Sequence, residues 1–366
     1  MDPKLRKGNS QMSRAVPGPV FIVSTGRCGS TMLSDMVNRH PDMLSLSEFL
    51  ASLSSKALRG RRMTGDAMYR RLGTLSPGGR ALLANGLQVD EFLYPLGPEA
   101  RYRAHEVPPI LCATLPHLTA DHEALWDELS AALRTRGPDT PAAHYRFVFD
   151  WLARRFRRRV WLERSGGSLL LVPALARLFP DARFVHLYRD GRDTAISMHR
   201  HHYFRLRVQA AQRMAALGID PFHPFNVPGT SPWMPMLESL RFRFFDAERY
   251  RRTEIGLPAF GWFWSGMIER GMRHLDALPP ERVLSMRYET VLESPRAEMT
   301  RFIRFVAPDL EDRDWLDLVS AMPRAGRSRL DQFDRATQER LKAACEPGAR
   351  RLGYSARNGT SEDIRP

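Results

Sequence analysis

The hydrophobic pattern near the start of the chain predicts a strand, a turn and a helix in succession. Residues 20–23 form a short apolar, β-branched run, residues 24–29 are turn formers, and from Ser30 onward apolar side chains recur at helical spacing. Later apolar runs, each followed by a helix-like pattern, predict further strands at 160–163, 183–188 and 283–287. This alternation predicts an α/β fold of three layers, with a central, mostly parallel sheet and helical insertions.

Two long segments interrupt the alternation. Helical patterns predict a helical insertion over about 49–158, between the first and second sheet segments; they lie at 49–58, 77–94, 121–135 and 142–157. Residues 204–280 include a proline-rich loop at 220–232, which we interpret as a lid or a wall on the acceptor side. We expect a disordered leader at 1–16, one α/β domain over 17–355 and a flexible tail at 356–366.

The turn after the first predicted strand has the composition of an anion site. A glycine-containing loop between a strand and a helix directs backbone N–H groups and the positive end of the helix dipole at one point. Gly26 and Gly29 supply the glycines, Arg27 is the one cation of the loop, and Ser30 and Thr31 add hydroxyl groups. The glycines are only three residues apart and no lysine follows them, so an ATP- or GTP-binding P-loop is disfavoured.

Cys28 lies in the middle of this loop, where a cysteine with a lowered pKa could act as a nucleophile. The phosphatase arrangement Cys-x5-Arg requires an arginine at position 34, which is Ser34. We therefore expect the Cys28 side chain to fill space in the loop.

A second loop of this kind follows the predicted strand at 183–188. Arg189 stands at the end of the strand, residues 190–193 turn the chain into a helix, and Ser197 lies about one turn into that helix. In an open parallel sheet, ligands collect at the carboxyl ends of the strands. Arg189 and Ser197 are therefore expected to bind one anion together, and the two loops predict a nucleotide with phosphates at both ends.

These two motifs resemble the nucleotide-binding signatures of the sulfotransferases that use 3′-phosphoadenosine-5′-phosphosulfate (PAPS), especially the bacterial branch. The matching residues are 25–31 (TGRCGST) and 188–197 (YRDGRDTAIS). Residues 283–289 with 294–295 are similar to a late strand and Tyr-Glu turn of that family. Residues 325–329 and the segment ending at 351–354 are similar to its C-terminal cofactor-covering loop and last helix.

The resemblance implies a cofactor and a set of binding residues. The 5′-phosphosulfate of PAPS would be held by the first loop, through Gly26, Arg27, Cys28, Gly29, Ser30 and Thr31. The 3′-phosphate would be held by Arg189 and Ser197, and the covering loop would contribute Gly326 and Arg327. Ser328 stands where relatives commonly have tryptophan. The product would be 3′,5′-adenosine bisphosphate (PAP).

The resemblance also proposes a catalytic base. The cytosolic animal branch has Lys-Thr-His after an early strand, whereas residues 161–168 here offer Arg164 and no histidine. Several bacterial and Golgi-type relatives use a glutamate shortly after the first helix, and Glu48 occupies that place. A glutamate partly buried beside an anion loop has a raised pKa suited to a general base. His199 and His186 are the alternatives, and Glu48 with Arg27 are the expected catalytic residues.

The charge of the chain raises a nucleic-acid interpretation. The formal net charge is +14, yet only four of the 55 basic residues are lysines, and the 51 arginines are spread along the whole chain. Such a spread does not indicate a selected basic face, and a basic excess also suits a tetra-anionic cofactor. His199, His201 and His202 lack a carboxylate or cysteine at a familiar ligand spacing, so no metal site is expected.

Three cysteines are too few for a disulfide framework, which predicts a reducing, cytoplasmic location. No signal sequence is expected, and the longest apolar run, residues 168–179, is too short to cross a bilayer. The expected partners are the nucleotide and a hydroxyl-bearing or amine-bearing acceptor, without nucleic acid; a homodimer stays open.

The predicted activity is in-line transfer of a sulfuryl group by a sulfotransferase. Two alternatives remain. A kinase-like phosphotransferase would require Mg²⁺ and a loop lysine, and a non-enzymatic, arginine-rich protein would bind nucleic acid with an affinity that falls steeply with salt.

Overall fold

The computed structural model describes residues 18–323 and 328–354 of the chain. Five strands form one sheet, and they are β1 (Val20–Val23), β2 (Met43–Ser47), β3 (Val160–Arg164), β4 (Arg183–Tyr188) and β5 (Val283–Arg287). The strand order is β2-β3-β1-β4-β5, and every pairing is parallel. The predicted fold class, a parallel sheet between helical layers, is confirmed.

Seventeen α-helices surround the sheet in the described part of the chain. They are α1 (Ser30–Asn38), α2 (Phe49–Leu53), α3 (Gly65–Gly73), α4 (Pro77–Ala84), α5 (Pro109–Cys112), α6 (His122–Arg134), α7 (Pro141–Arg155), α8 (Val172–Leu178), α9 (Gly191–His199), α10 (His202–Ala216), α11 (Met234–Arg243), α12 (Ala247–Arg252), α13 (Leu257–Asp276), α14 (Tyr288–Glu293), α15 (Pro295–Val306), α16 (Arg313–Ser320) and α17 (Arg335–Arg351). None of them is long and apolar enough to span a membrane.

The first strand is buried on both faces, as its continuous apolar sequence indicates. Phe21 and Val23 point into a large core beneath α7, α8, α9 and α13. Val20 and Ile22 point to the other face, into a second core with α1, α15 and α16. Because successive side chains of a strand alternate between faces, these four residues anchor both helical layers to the middle of the sheet.

The helices after β1 and β4 pack on opposite faces of the sheet. Side chains of α1 belong to the second core, and side chains of α9 belong to the first. The two strands are neighbours, with Val23 paired to His186. A crevice therefore opens at their carboxyl ends, where ligands of open α/β sheets bind.

The sequence pattern missed β2, which forms the edge of the sheet beside β3. Its serines interrupt the apolar run, but Ser45 and Ser47 are buried, and their hydroxyl oxygens lie 2.7 Å and 2.9 Å from that of Ser34 on α1. This hydrogen bonding replaces the apolar contacts that a strand pattern normally displays. The helical insertion therefore follows the second strand of the chain, and the prediction that it follows the first is wrong.

Within the insertion, the helix predicted over 77–94 ends at Ala84, and Gly86 has a positive φ of 65°. Residues 85–103 form no helix in the structure. The helix α3, Gly65–Gly73, was not predicted. The predicted helices at 121–135 and 142–157 correspond to α6 and α7.

Candidate functional site

The loop between β1 and α1 has the backbone of an anion-binding turn. Gly26, Arg27 and Gly29 have φ values of 83°, 58° and 87°. Gly29 is the N-cap of α1, no side chain caps the helix, and its first turn has no acidic residue. The positive end of the α1 dipole and its first N–H groups thus have neither a capping side chain among the described residues nor an acidic residue in the first turn.

Both glycines of the loop lie against aromatic rings. A Cβ at Gly26 would come within 2.5 Å of the Phe204 ring, and a Cβ at Gly29 within 2.2 Å of the Tyr288 ring. Larger residues would collide with these rings and would also need the left-handed backbone. The loop is thereby fixed from two sides by α10 and α14.

The second predicted loop meets the first one. Arg27 Nε donates a hydrogen bond of 3.0 Å to Ser197 Oγ on α9, although the two residues are 170 positions apart in sequence. Asp190 caps α9, because its carboxylate accepts from the backbone N of Arg192 at 2.8 Å. Arg27, Ser197 and Arg189 line one cavity. The structure therefore brings both predicted phosphate sites together.

Arg189 is held at the edge of this cavity by a carboxylate and a ring. Its Nη2 donates to Asp193 Oδ2 at 3.3 Å, and its guanidinium carbon lies 4.8 Å from the centre of the Tyr288 ring. Ser328 Oγ donates to the other oxygen of Asp193 at 2.7 Å. The residue at the tryptophan position of relatives thus contacts the same carboxylate as Arg189. Gly326 and Arg327 lie outside the described residues.

Glu48 lies between β2 and α2, with a left-handed φ of 55°. Its backbone N donates to the carbonyl of Arg164 at 2.6 Å. Its carboxylate accepts from Arg164 Nη1 on one oxygen and from the backbone N of Gly166, at 3.0 Å, on the other. Only 3% of the Arg164 side chain and 12% of the Glu48 side chain are exposed, so this is a buried ion pair at the cavity wall.

Burial raises the pKa of Glu48 above the ordinary value of a glutamate, and the positive charge of Arg164 opposes that effect. The neighbouring strand residue Glu163 is fully buried and does not line the cavity. Its burial raises the pKa of Glu163 to about 8. Glu163 Oε1 accepts hydrogen bonds from the backbone N of Leu50 at 3.2 Å and from Ser165 Oγ at 2.5 Å.

Glu91 is a site residue that the sequence did not indicate. Arg27 Nη1 donates to Glu91 Oε1, and Arg27 Nη2 donates to Asp90 Oδ2 at 3.2 Å. The second oxygen of Glu91 lies 2.8 Å from His201 Nε2. Burial alone would raise the pKa of Glu91, but the hydrogen bond from His201 and the charges of His201 and Arg27 lower it to about 2. No local pattern signals these contacts, because 64 residues separate Arg27 from Glu91.

The cavity has a volume of about 690 Å³ and extends well beyond the two loops. At one end it is lined by loop residues together with Glu48, Arg164, Arg189 and Ser197. From there it runs between α4, α10 and α11, where leucine, methionine and phenylalanine side chains line it. The proline-rich loop contributes Pro221, Asn226 and Pro228 to the cavity wall, and its role as a lid or a wall on the acceptor side stays a prediction.

Other candidate residues lie outside the cavity lining. Cys28 is fully buried in the second core, and burial raises the pKa of its thiol. His186 is fully buried in β4, where burial lowers its pKa to about 4. His199 packs edge-on against the Phe260 ring at 5.1 Å. Within residues 18–323 and 328–354, no group of three or more histidine, cysteine or acidic side chains could hold a metal ion.

Comparisons with known proteins identify similar chains. A family model described as "Sulfotransferase family" matches residues 19–222, more than half of the chain. Among solved structures, the sulfotransferase domain from the curacin biosynthetic pathway has 15% identity, covers 92% of this chain and 97% of its own, and gives a TM-score of 0.48. The sulfotransferase from Alicyclobacillus acidocaldarius has 16% identity, covers 91% and 93%, and gives a TM-score of 0.42.

A retinol dehydratase in complex with androsterone and inactive cofactor PAP has 12% identity, covers 90% of this chain and 80% of its own, and gives a TM-score of 0.32. All three TM-scores are below 0.5, so the assignment to the family depends on the match to the family model alone. A comparison with curated protein sequences gave no match.

Proposed function

Because the chain belongs to the sulfotransferase family, we propose that it transfers the sulfuryl group of PAPS to a hydroxyl group of an acceptor. The observation that carries this proposal is the contact between the two loops, the 3.0 Å hydrogen bond from Arg27 to Ser197. Through this contact both loops contribute their candidate anion-binding groups to one cavity, as a single nucleotide with phosphates at both ends requires.

The residues present fit such a nucleotide. The uncapped start of α1 and the positive-φ loop supply backbone donors for one phosphate, with Arg27 as the cation and Ser30 or Thr31 as hydroxyl donors. Arg189 and Ser197 supply the second set. PAPS, when bound, brings an activated sulfuryl group whose leaving group is the 5′-phosphate. Arg27 and the helix end neutralise the charge that develops on that phosphate.

Glu48 is the proposed general base. Arg164 and the backbone N of Gly166 fix its carboxylate at the cavity wall, and its raised pKa makes it a better proton acceptor than an exposed glutamate. Glu48 takes the proton of the acceptor hydroxyl while the hydroxyl oxygen attacks sulfur and the bond from sulfur to the 5′-phosphate oxygen breaks. Arg164 holds the base in position, and its charge limits how far the pKa of Glu48 rises.

Calorimetric titration with PAP in EDTA tests the donor site. We expect one-to-one binding that Arg189→Ala weakens about tenfold or more, the scale of a lost charge-assisted hydrogen bond. Arg192→Ala is the matched control, because it removes the same charge three residues away, but Arg192 is bound to Asp190 and does not line the cavity.

The control variant should bind PAP within about twofold of the parent protein, since its guanidinium lies outside the site. Titration with ATP and Mg²⁺ forms the comparison. Binding only in the presence of metal, or a preference for ATP with Mg²⁺, would contradict the proposal and favour a phosphotransferase. Equal losses in the two variants would show that general charge, rather than a built phosphate site, determines the affinity.

A further inference from the structure

The helix α10 lines the cavity along its whole length. Phe204, Arg207, Ala211 and Met214 follow one another at intervals of three or four residues, so they share one face of the helix. The C-cap residue Leu217 continues this line, and all five residues line the cavity. Phe204 lies against Gly26 of the anion loop. At a rise of about 1.5 Å per residue, the cavity continues about 20 Å along the helix from Phe204 to Leu217.

The walls that face α10 are largely apolar. Leu82 and Leu87 belong, with Leu206, to a small hydrophobic cluster separate from the two main cores, and Phe242 packs against that cluster. All four side chains also line the cavity. Apolar walls over such a length favour an acceptor with an extended hydrocarbon body, because the gain grows with the apolar area removed from water.

Three arginines interrupt this apolar surface. Arg207, Arg213 and Arg241 line the cavity, and within the described residues none of them forms an ion pair. Arg241 Nη2 donates only to the carbonyl of Leu206, at 3.4 Å. Burial, together with the positive charges of Arg213 and Arg207, lowers the pKa of Arg241, and the negative charge of Glu238 opposes this effect. The positive charges of Arg207 and Arg213 therefore act unfavourably on the half-buried Arg241.

One carboxylate, Glu238, acts favourably on Arg241, but it forms no ion pair with Arg241 and accepts its hydrogen bonds from other groups. Glu238 on α11 accepts from Ser55 Oγ with one oxygen and from the backbone N of Gly78, at 3.2 Å, with the other. It thereby joins α11 to the start of α4. An anion supplied by a ligand would offset the positive charges that act on Arg241 and form charge-assisted hydrogen bonds with these arginines.

We propose that the acceptor is an amphiphile with a hydroxyl group, an extended apolar body and an anionic group, and that Arg213 and Arg241 bind the anionic group. This inference rests on the proposed function, which places the reacting hydroxyl beside Glu48 and the anion loop. Arg213 lies nine residues beyond Phe204, about 13 Å along α10. The hydroxyl and the anionic group are therefore well separated on the acceptor.

The probe is ω-hydroxylaurate, which carries a hydroxyl and a carboxylate at opposite ends of a saturated chain. It is titrated below its micellar concentration into the PAP-saturated protein and into the protein alone. Its methyl ester lacks the charge, and ω-hydroxybutyrate keeps both groups but is too short to span the cavity. Arg213→Gln is the variant, because Arg213 is exposed at the cavity rim and forms no ion pair with any residue that the structure describes, so its loss should not unfold the chain. Arg313→Gln, on an exposed position of α16, removes the same charge on another face.

We expect ω-hydroxylaurate to bind at least about tenfold more tightly than its methyl ester or ω-hydroxybutyrate. In Arg213→Gln, the acid and the ester should bind with equal affinity. Arg313→Gln should change neither affinity, and both variants should bind PAP as the parent does. Equal affinities for acid and ester, or weaker PAP binding in Arg213→Gln, would overturn the assignment. If the protein binds PAP but does not bind ω-hydroxylaurate, only the acceptor inference is overturned. If it binds ω-hydroxylaurate in a way that depends on Arg213 but does not bind PAP, only the proposal that PAPS is the donor is overturned.

Discussion

Replacing Glu48 with glutamine tests the catalytic assignment most directly. The two side chains have the same shape, but an amide cannot accept the proton of the acceptor. Removing a general base costs about 10²- to 10⁴-fold in turnover, or about 3–5 kcal/mol of transition-state stabilisation. The assay is release of PAP from PAPS with ω-hydroxylaurate as acceptor, on proteins whose PAP affinity has been measured separately.

The same substitution has a structural effect that must be measured beside the rate. The carboxylate accepts one hydrogen bond on each oxygen, from Arg164 and from Gly166. An amide offers one oxygen, so its NH₂ group opposes one of the two donors. Losing a hydrogen bond to a charged group in a buried pair lowers the free energy of unfolding by about 2–4 kcal/mol. Urea unfolding gives this value independently of the rate.

Glu163→Gln is the matched control for both effects. Glu163 is the buried residue that precedes Arg164 on β3. Its pKa of about 8 keeps it mostly protonated at neutral pH, so glutamine replaces a neutral group. We expect turnover within a few-fold of the parent. The rate of the parent should also rise with pH through a pKa above that of an ordinary glutamate, because Glu48 must be ionised to act. Turnover of Glu48→Gln within about tenfold of the parent, or an equal fall in Glu163→Gln, would refute the assignment.

Three further predictions concern other parts of the molecule. Gly29→Ala should lower the free energy of unfolding by about 3 kcal/mol in urea titrations, because the new Cβ clashes with Tyr288 and alanine also disfavours the positive φ. Gly86→Ala is the control: its Cβ would meet open space, so it should show only the cost of the positive φ, about 1 kcal/mol. Glu91→Gln should tighten PAP binding up to about fivefold in calorimetry by releasing the loop arginine from a carboxylate, and weaker binding would show that the pair positions that arginine. The pKa of His186 is about 4 in the folded state and about 6.5 in the unfolded state, so the unfolded chain binds the proton first and the free energy of unfolding should fall as the pH is lowered from about 6.5 to 4. His186→Leu should reduce that fall by about 2 kcal/mol, as measured by urea unfolding at the two pH values.

Much of the fold could be predicted because strands buried on both faces leave a plain sequence signal. β1, β3 and β4 are apolar runs at the predicted positions, and the family predicted from the two loop motifs is confirmed by the match over residues 19–222. β2 gave no such signal, because its buried serines are satisfied by the hydroxyl of Ser34, a contact with another element that no local pattern reveals.

The same distinction applies to the site. The turn at the loop glycines could be predicted because backbone conformation and helix capping depend on adjacent residues, while the roles of the glycines and Arg27 in binding stay predictions. Arg164 and Glu48 could be named as candidates, but their pairing depends on the register of β2 against β3, which sets Ser47 beside Arg164.

Glu91 shows why the remainder could not be predicted. It lies in a segment without regular structure, and its partners Arg27 and His201 come from two other elements. These contacts form only after the sheet and α10 have assembled. They therefore depend on how distant segments pack together, and no local sequence pattern predicts them. If Arg27 binds a phosphate as proposed, that phosphate would compete with Glu91 and Asp90 for the N–H donors of one guanidinium. In the proposed function, the affinity for the donor would then depend on Glu91 and Asp90 as well as on the loop motif.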